Sequence, residues 1–119
     1  MPFWGKEKPY PSLEYRGKRY YIIPLSAIRE MEGEHVVVTG IVTRKPRIEY
    51  YSAGWPLSFE RYIEENHGHR TVFTIEDVPV VARGVVLLKV GEKVKIYGCV
   101  LSSQIIAEVI IGEYAEYYC

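Results

Sequence analysis

Residues 35–48, HVVVTGIVTRKPRI, constrain the fold more than any other stretch of the chain. Val36, Val38 and Val42 fall on one face, and Val37, Thr39, Ile41 and Thr43 on the other, which is the two-residue period of a β-strand. Gly40 interrupts the run of β-branched residues. A glycine inside a strand weakens it and marks a bend or a bulge. A long strand bent at that point can pair at both ends and so serve two sides of a small barrel.

Four later segments supply its partners. Arg70–Asp77 (RTVFTIED) alternates, with Phe73 and Ile75 on one face, and Val78–Arg83 (VPVVAR) follows after a tight connection at Glu76-Asp77. Pro79 cannot donate to a ladder, so it belongs at a strand start or on an edge. Gly84–Val90 reads as a loop or a single helical turn closing one end of the core, and Gly91-Glu92 as a turn. Lys93–Val100 alternates cleanly: Val94, Ile96, Gly98 and Val100 face one way, Lys93, Lys95, Tyr97 and Cys99 the other. Of the second set, Lys93, Lys95 and Tyr97 read first as a solvated face. Gln104–Ile111 is apolar on both faces, with Ile106 and Ile110 opposite Ile105, Val109 and Ile111. Five strands without a run of helices to cover a parallel sheet predict a small barrel or sandwich.

The flanking segments are less regular. Residues 1–12 carry Pro2, Pro9 and Pro11 and read as an extended arm. Leu13–Ile23 predicts a hairpin turning at Arg16-Gly17-Lys18, with glycine supplying positive φ. Its basic tip (Arg16, Lys18, Arg19) reads as a solvated turn, with a phosphate contact as the alternative. Ser26 is placed to cap a short helix running to Met31, with Ile28 as its buried anchor and Gly33 past its end. Residues 49–69 form a connection longer than compact domains usually carry, and its aromatic content argues against disorder. Within it, Ser58 can cap a second short helix, Phe59 to Asn66, stopped at Gly68.

Composition narrows the function. At 119 residues, 48% apolar and 25% charged, the chain is a single globular domain. A formal net charge of zero argues against gripping duplex DNA by bulk charge but leaves room for a local basic groove. No run reaches membrane-spanning length, and the N-terminus is too polar and proline-rich for a signal peptide, so a cytoplasmic location and no membrane are expected. Cys99 and Cys119 lack metal-ligand spacing, and no disulfide is expected. One Asp, one Asn and one Gln stand against fourteen Glu, a bias that suggests a hyperthermophile source. His67-Gly68-His69 reads as a polar helix stop rather than a metal site, and His35 as a structural histidine. There is no Ser-His-Asp spacing, phosphate-binding glycine loop or paired-Asp site. Neither an enzyme nor a cofactor is expected.

The series EGEHVVVTGIV, RTVFTIED, VGEKVKIYGCV and a final strand resembles the OB-fold of archaeal single-stranded nucleic-acid-binding proteins. Gly33-Glu34 and Gly91-Glu92 lead into two of the strands, and Gly40 and Gly98 interrupt them. The resemblance covers about residues 26–112. It implies a mainly β chain: a five-stranded OB-fold barrel with an N-terminal β-hairpin extension and one or two short helices. The expected organisation is an arm and hairpin over 1–25, the barrel over 26–112 with a long first connection (L12) at 49–69, and an acidic, aromatic tail over 113–119. It also implies ligand binding on the second and third barrel strands and on loops L12 and L45. The chain departs from the family pattern at Asp77, which is followed by Val78-Pro79 instead of a glycine turn, and in a short L45 at Leu101-Ser102-Ser103.

Single-strand binding requires cations along a backbone track and flat side chains on which bases stack. Arg44, Lys45 and Arg47 run into Tyr50, Tyr51 and Trp55, followed by Arg61, Arg70 and Arg83. Each stacked base is worth roughly 1–3 kcal/mol. The same aromatics, with Phe59, can instead pack the long loop onto the barrel, and the sequence leaves both roles open. The expected function is binding of single-stranded DNA or RNA with low sequence specificity. The alternative is a protein-interaction module, the apolar last strand burying a face in a protein partner or a homodimer.

Overall fold

The computed structural model describes residues 8–50 and 69–119. Its elements are β1 (Ser12–Tyr15), β2 (Lys18–Ile22), a 3-10 helix (Leu25–Met31), β3 (His35–Tyr50), β4 (His69–Ile75), β5 (Val78–Arg83), β6 (Lys93–Leu101), β7 (Gln104–Ile111) and β8 (Glu116–Tyr118). β3 pairs antiparallel with β6 over His35–Ile41 and with β4 from Val42 onward. β4 pairs with β5, β5 runs parallel to β7, and β7 returns antiparallel to β6. The circuit β3-β4-β5-β7-β6-β3 closes a five-stranded barrel with OB-fold topology.

Gly40 marks the change of partner. The last β6 pair is Ile41 with Lys93, and the first β4 pair is Val42 with Ile75. A Cβ on Gly40 would lie 3.0 Å from Leu25 Cδ1, so its bareness lets the 3-10 helix approach the strand. That helix buries Ala27, Ile28 and Met31 against one end of the barrel. Pro24 occupies its N-cap and no side chain caps it. The expected Ser26 cap is therefore corrected: the N-cap position lies two residues earlier, and Ser26 falls inside the first turn. The other helix, with Ser58 as its cap, lies outside the described residues.

Segment 84–92 carries no helix and runs as a loop that ends in a turn at Val90-Gly91, the first of the two expected forms. Val86 and Leu88 enter the core, while Thr71 Oγ1 donates to Gly84 O at 2.8 Å and accepts from Val86 N at 3.0 Å. Thr71 is thus a buried hydroxyl with both bonding capacities used.

The predicted face of β7 is corrected by a bulge. Tyr97 pairs with Val109 and Gly98 with Ala107, leaving Glu108 as the extra residue. The bulge reverses the alternation, so Ile105, Ala107 and Ile110 face the core while Val109 joins an outer cluster. Gly98 permits the close crossing: a Cβ there would lie 2.5 Å from Ile106 O.

That outer cluster lies beneath the N-terminal hairpin. β2 runs parallel to the start of β3 (Tyr21 with Val36, Ile22 with Val37) and sets Tyr20 beside Val37, Tyr97 and Val109. Tyr15 stacks on Tyr97 with ring centroids 4.1 Å apart, so Tyr97 is 5% exposed and not the solvated residue its alternation suggested. The bulge turns Glu108 toward this hairpin, where it accepts from Tyr20 OH at 2.6 Å and meets Lys18 Nζ at 3.4 Å and His35 Nε2 at 3.3 Å. Burial, with the Glu108 carboxylate beside it, holds the Tyr20 phenol far above its ordinary range. Residues 116–118 of the tail form β8 along Val109–Ile111.

Candidate nucleic-acid interface

The outward sides of β3, β4 and β5 form a grid. Its first row is Glu49–Arg70–Arg83, its second Arg47–Val72–Val81, continued by Ile106 of β7, and its third Arg44–Thr74–Pro79. Val72, Val81 and Ile106 make a partly covered apolar strip. Arginines stand along one side of it and at one end. A hollow of about 300 Å³ opens there, lined by Arg70, Val81, Arg83, Ile106, Ala107, Glu108 and Cys119.

Two register shifts in β3, between Val42 and Arg44 and between Arg44 and Arg47, build this arrangement. Lys45 and Pro46 occupy the second. Pro46 has no N–H to place in a ladder, and a bulge accommodates that lack. Arg44 and Arg47 are three positions apart and would face opposite ways on a regular strand; the extra residue brings both outward. Pro46 was a readable signal of this irregularity that the alternation obscured.

Electrostatics within the grid are uneven. Arg47 donates to Glu49 Oε2 from Nη2 at 2.6 Å, and Arg70 donates from Nε to Oε1 at 2.9 Å. Hydrogen bonds from Arg47, then Arg70, hold the Glu49 carboxyl below its ordinary range. Arg70 and Arg83 are direct cross-strand partners, an arrangement that like charges disfavour. Arg83 makes no ion pair among the described residues. Burial pushes the Cys119 thiol at the hollow's edge up to about 11, leaving it a neutral thiol at physiological pH.

Of the residues singled out from the sequence, Arg44, Arg47, Arg70 and Arg83 share this face, with Lys45 exposed in the bulge beside it. Tyr50 ends β3 opposite His69. Tyr51, Trp55 and Arg61 lie outside the described residues, as does His67. No aromatic side chain occurs among the grid positions described. The basic tip of the hairpin is engaged internally: Arg16 lies over the Tyr118 ring at 4.5 Å, Lys18 meets Glu108, and Arg19 bonds Ser12 and Tyr21. Among the described residues no group of three His, Cys, Asp or Glu is arranged to hold a metal. No helix among them is long and apolar enough to cross a membrane.

No family model matches the chain, and no curated protein matches it. Two solved structures from S. pombe are similar. A chain of the Stn1-Ten1 complex matches at 13% identity with a TM-score of 0.43, covering 79% of this chain and 76% of that one. The telomere capping protein Ten1 matches at 14% identity with the same TM-score of 0.43, covering 79% of this chain and 81% of its own. Here the OB-fold assignment rests on the strand pairing itself.

Proposed function

We propose that the chain binds single-stranded DNA or RNA with low sequence specificity on the outward face of β3, β4 and β5. The observation that carries this reading is the convergence of Arg44, Arg47, Arg70 and Arg83 from three strands around the Val72–Val81–Ile106 strip. Phosphates would meet the arginines while bases lie against the apolar strip, valine and isoleucine standing where single-strand binders use aromatic faces. An anion between Arg70 and Arg83 would offset a like-charge contact that otherwise weakens the sheet.

Fluorescence anisotropy of labelled oligo-dT and oligo-U at two salt concentrations tests it. The wild type is expected to bind in a salt-sensitive way, and Arg70→Ala/Arg83→Ala to lose most of that binding. Glu49→Gln removes the carboxylate competing for Arg47 and Arg70. It is expected to tighten binding about two- to fivefold, on the scale of one exposed ion pair. Unchanged binding in both variants would sink the assignment of this face.

A second reading has its own supporting feature. Along segment 84–92, Leu87 is 72% exposed and Val85 and Val90 are at least half exposed, beside Tyr114 at 75%. An apolar ridge of this kind favours a protein-docking module. A concentration-dependent mass without salt-sensitive oligonucleotide binding would support it.

A further inference from the structure

Lys93 and Lys95 project outward from β6 opposite Ile41 and Thr39 of β3. Successive outward positions on a strand lie about 6.7 Å apart. Farther along β3, Thr43, Lys45 and Arg44 are exposed. The four cations therefore follow the outer side of one bent strand, from residue 39 to residue 45, and end at the arginine grid.

Several other described cations are engaged within the fold, which these four are not. Lys18 meets Glu108, Arg47 and Arg70 meet Glu49, Arg16 covers Tyr118, and Lys89 covers Tyr114. Arg44, Lys45, Lys93 and Lys95 make no ion pair among the described residues. Two carboxylates lie near Lys93 but bond backbone amides and not its ammonium: Glu113 accepts from Lys93 N at 3.0 Å, and Glu76 from Ile41 N at 3.0 Å. The neighbours of Lys95 across the sheet are Thr39 and Ile111, neither of them acidic. β6 lies between β3 and β7, so its lysines do not guard an open edge, which is the usual use of lysine on a sheet. The hairpin covers Tyr97 farther along the same face but leaves Ile41, beside Lys93, 36% exposed.

We propose that a bound single strand continues past the β4–β5 face, crosses β3 and reaches β6, with Arg44, Lys45, Lys93 and Lys95 meeting successive phosphates. This second track rests on the binding reading above and extends its footprint. It makes a length-dependent prediction. An oligo-dT of about 6 nucleotides fills only the first face, whereas one of about 16 reaches both, within the range of OB-fold site sizes.

The test compares wild type with Lys93→Gln/Lys95→Gln on both oligonucleotides over a salt series, with Lys89→Gln as a control lysine. The double variant is expected to bind the short oligonucleotide within twofold of wild type and the long one about tenfold more weakly. Its log affinity against log salt should be shallower by about 1.4 for the long oligonucleotide, about 0.7 for each lost phosphate contact. Equal affinity of wild type and variant for the long oligonucleotide would overturn the second track while leaving the first face standing. An equal loss on both lengths would overturn it too, because the lysines would then belong to the first face. Binding of neither oligonucleotide by wild type would remove the underlying reading and the track with it.

Discussion

Several glutamates of this chain accept from backbone amides that the strands leave unpaired. Glu32 accepts from Ser102 N and Ser103 N in the β6–β7 turn, Glu76 from Ile41 N where β3 changes partner, and Glu92 from Lys89 N and Glu113 N. Glu92 is itself buried, and the two amides it serves supply its carboxylate with the partners that burial requires. The compositional bias seen in the sequence thus has a structural use, whatever the source of the protein. Tyr20 gives a pH prediction at the same scale. Its neutral phenol donates to Glu108, and burial raises its pKa above the ordinary tyrosine value. Because the folded value is the higher one, this contribution is fully present below about pH 10 and is lost as pH rises further. Chemical denaturation from pH 7 to 11 should show wild type weakening above about pH 10, with Tyr20→Phe lacking that part of the slope. Identical profiles would contradict the assignment. Tyr97 shows what the residues alone could not reveal. Its outward position on β6 was legible, but its cover comes from Tyr15, far away in the chain.

Among the elements, the strands and the bend at Gly40 were legible, and the bulges were not. Alternation marks β4 and β6 because each has one face in the core, while β5 and β7 show as short apolar runs bounded by turns. The glycine in β3 falls beside its change of partner because the helix residue Leu25 occupies the space a side chain would need. Bulges leave a fainter trace. The one at Glu108 turns Ile110 inward against the plain alternation, and the pair in β3 brings Arg44 and Arg47 to a common face. The 3-10 helix was placed correctly but started from the wrong cap, since Pro24 rather than Ser26 sets its first turn. The tail was read only as acidic and aromatic, yet residues 116–118 occupy the part of the β7 edge beyond its pairing with β5. Removing residues 113–119 would expose that edge as a template for another chain. The truncated protein is expected to show concentration-dependent self-association by sedimentation where the full chain does not. A monodisperse truncation of unchanged stability would contradict this role for β8.

For the molecule as a whole, zero net charge conceals a strong local sorting. Acidic side chains cap turns and brace the hairpin, while cations collect on the outward faces of β3, β4 and β5 and along β6. The positions of Arg44, Arg47, Arg70 and Arg83 could be listed from the sequence, but their convergence required the register of three strands and two bulges. The aromatic part of the expected site remains with Tyr50, Tyr51 and Trp55, whose side chains lie outside the description. The most direct test of the central claim is amide chemical-shift mapping by NMR as oligo-dT or oligo-U is titrated into the labelled protein. The account predicts the largest salt-sensitive shifts at Arg70, Val72, Val81, Arg83 and Ile106. Shifts confined to Val85–Val90, or none at high micromolar protein, would contradict it.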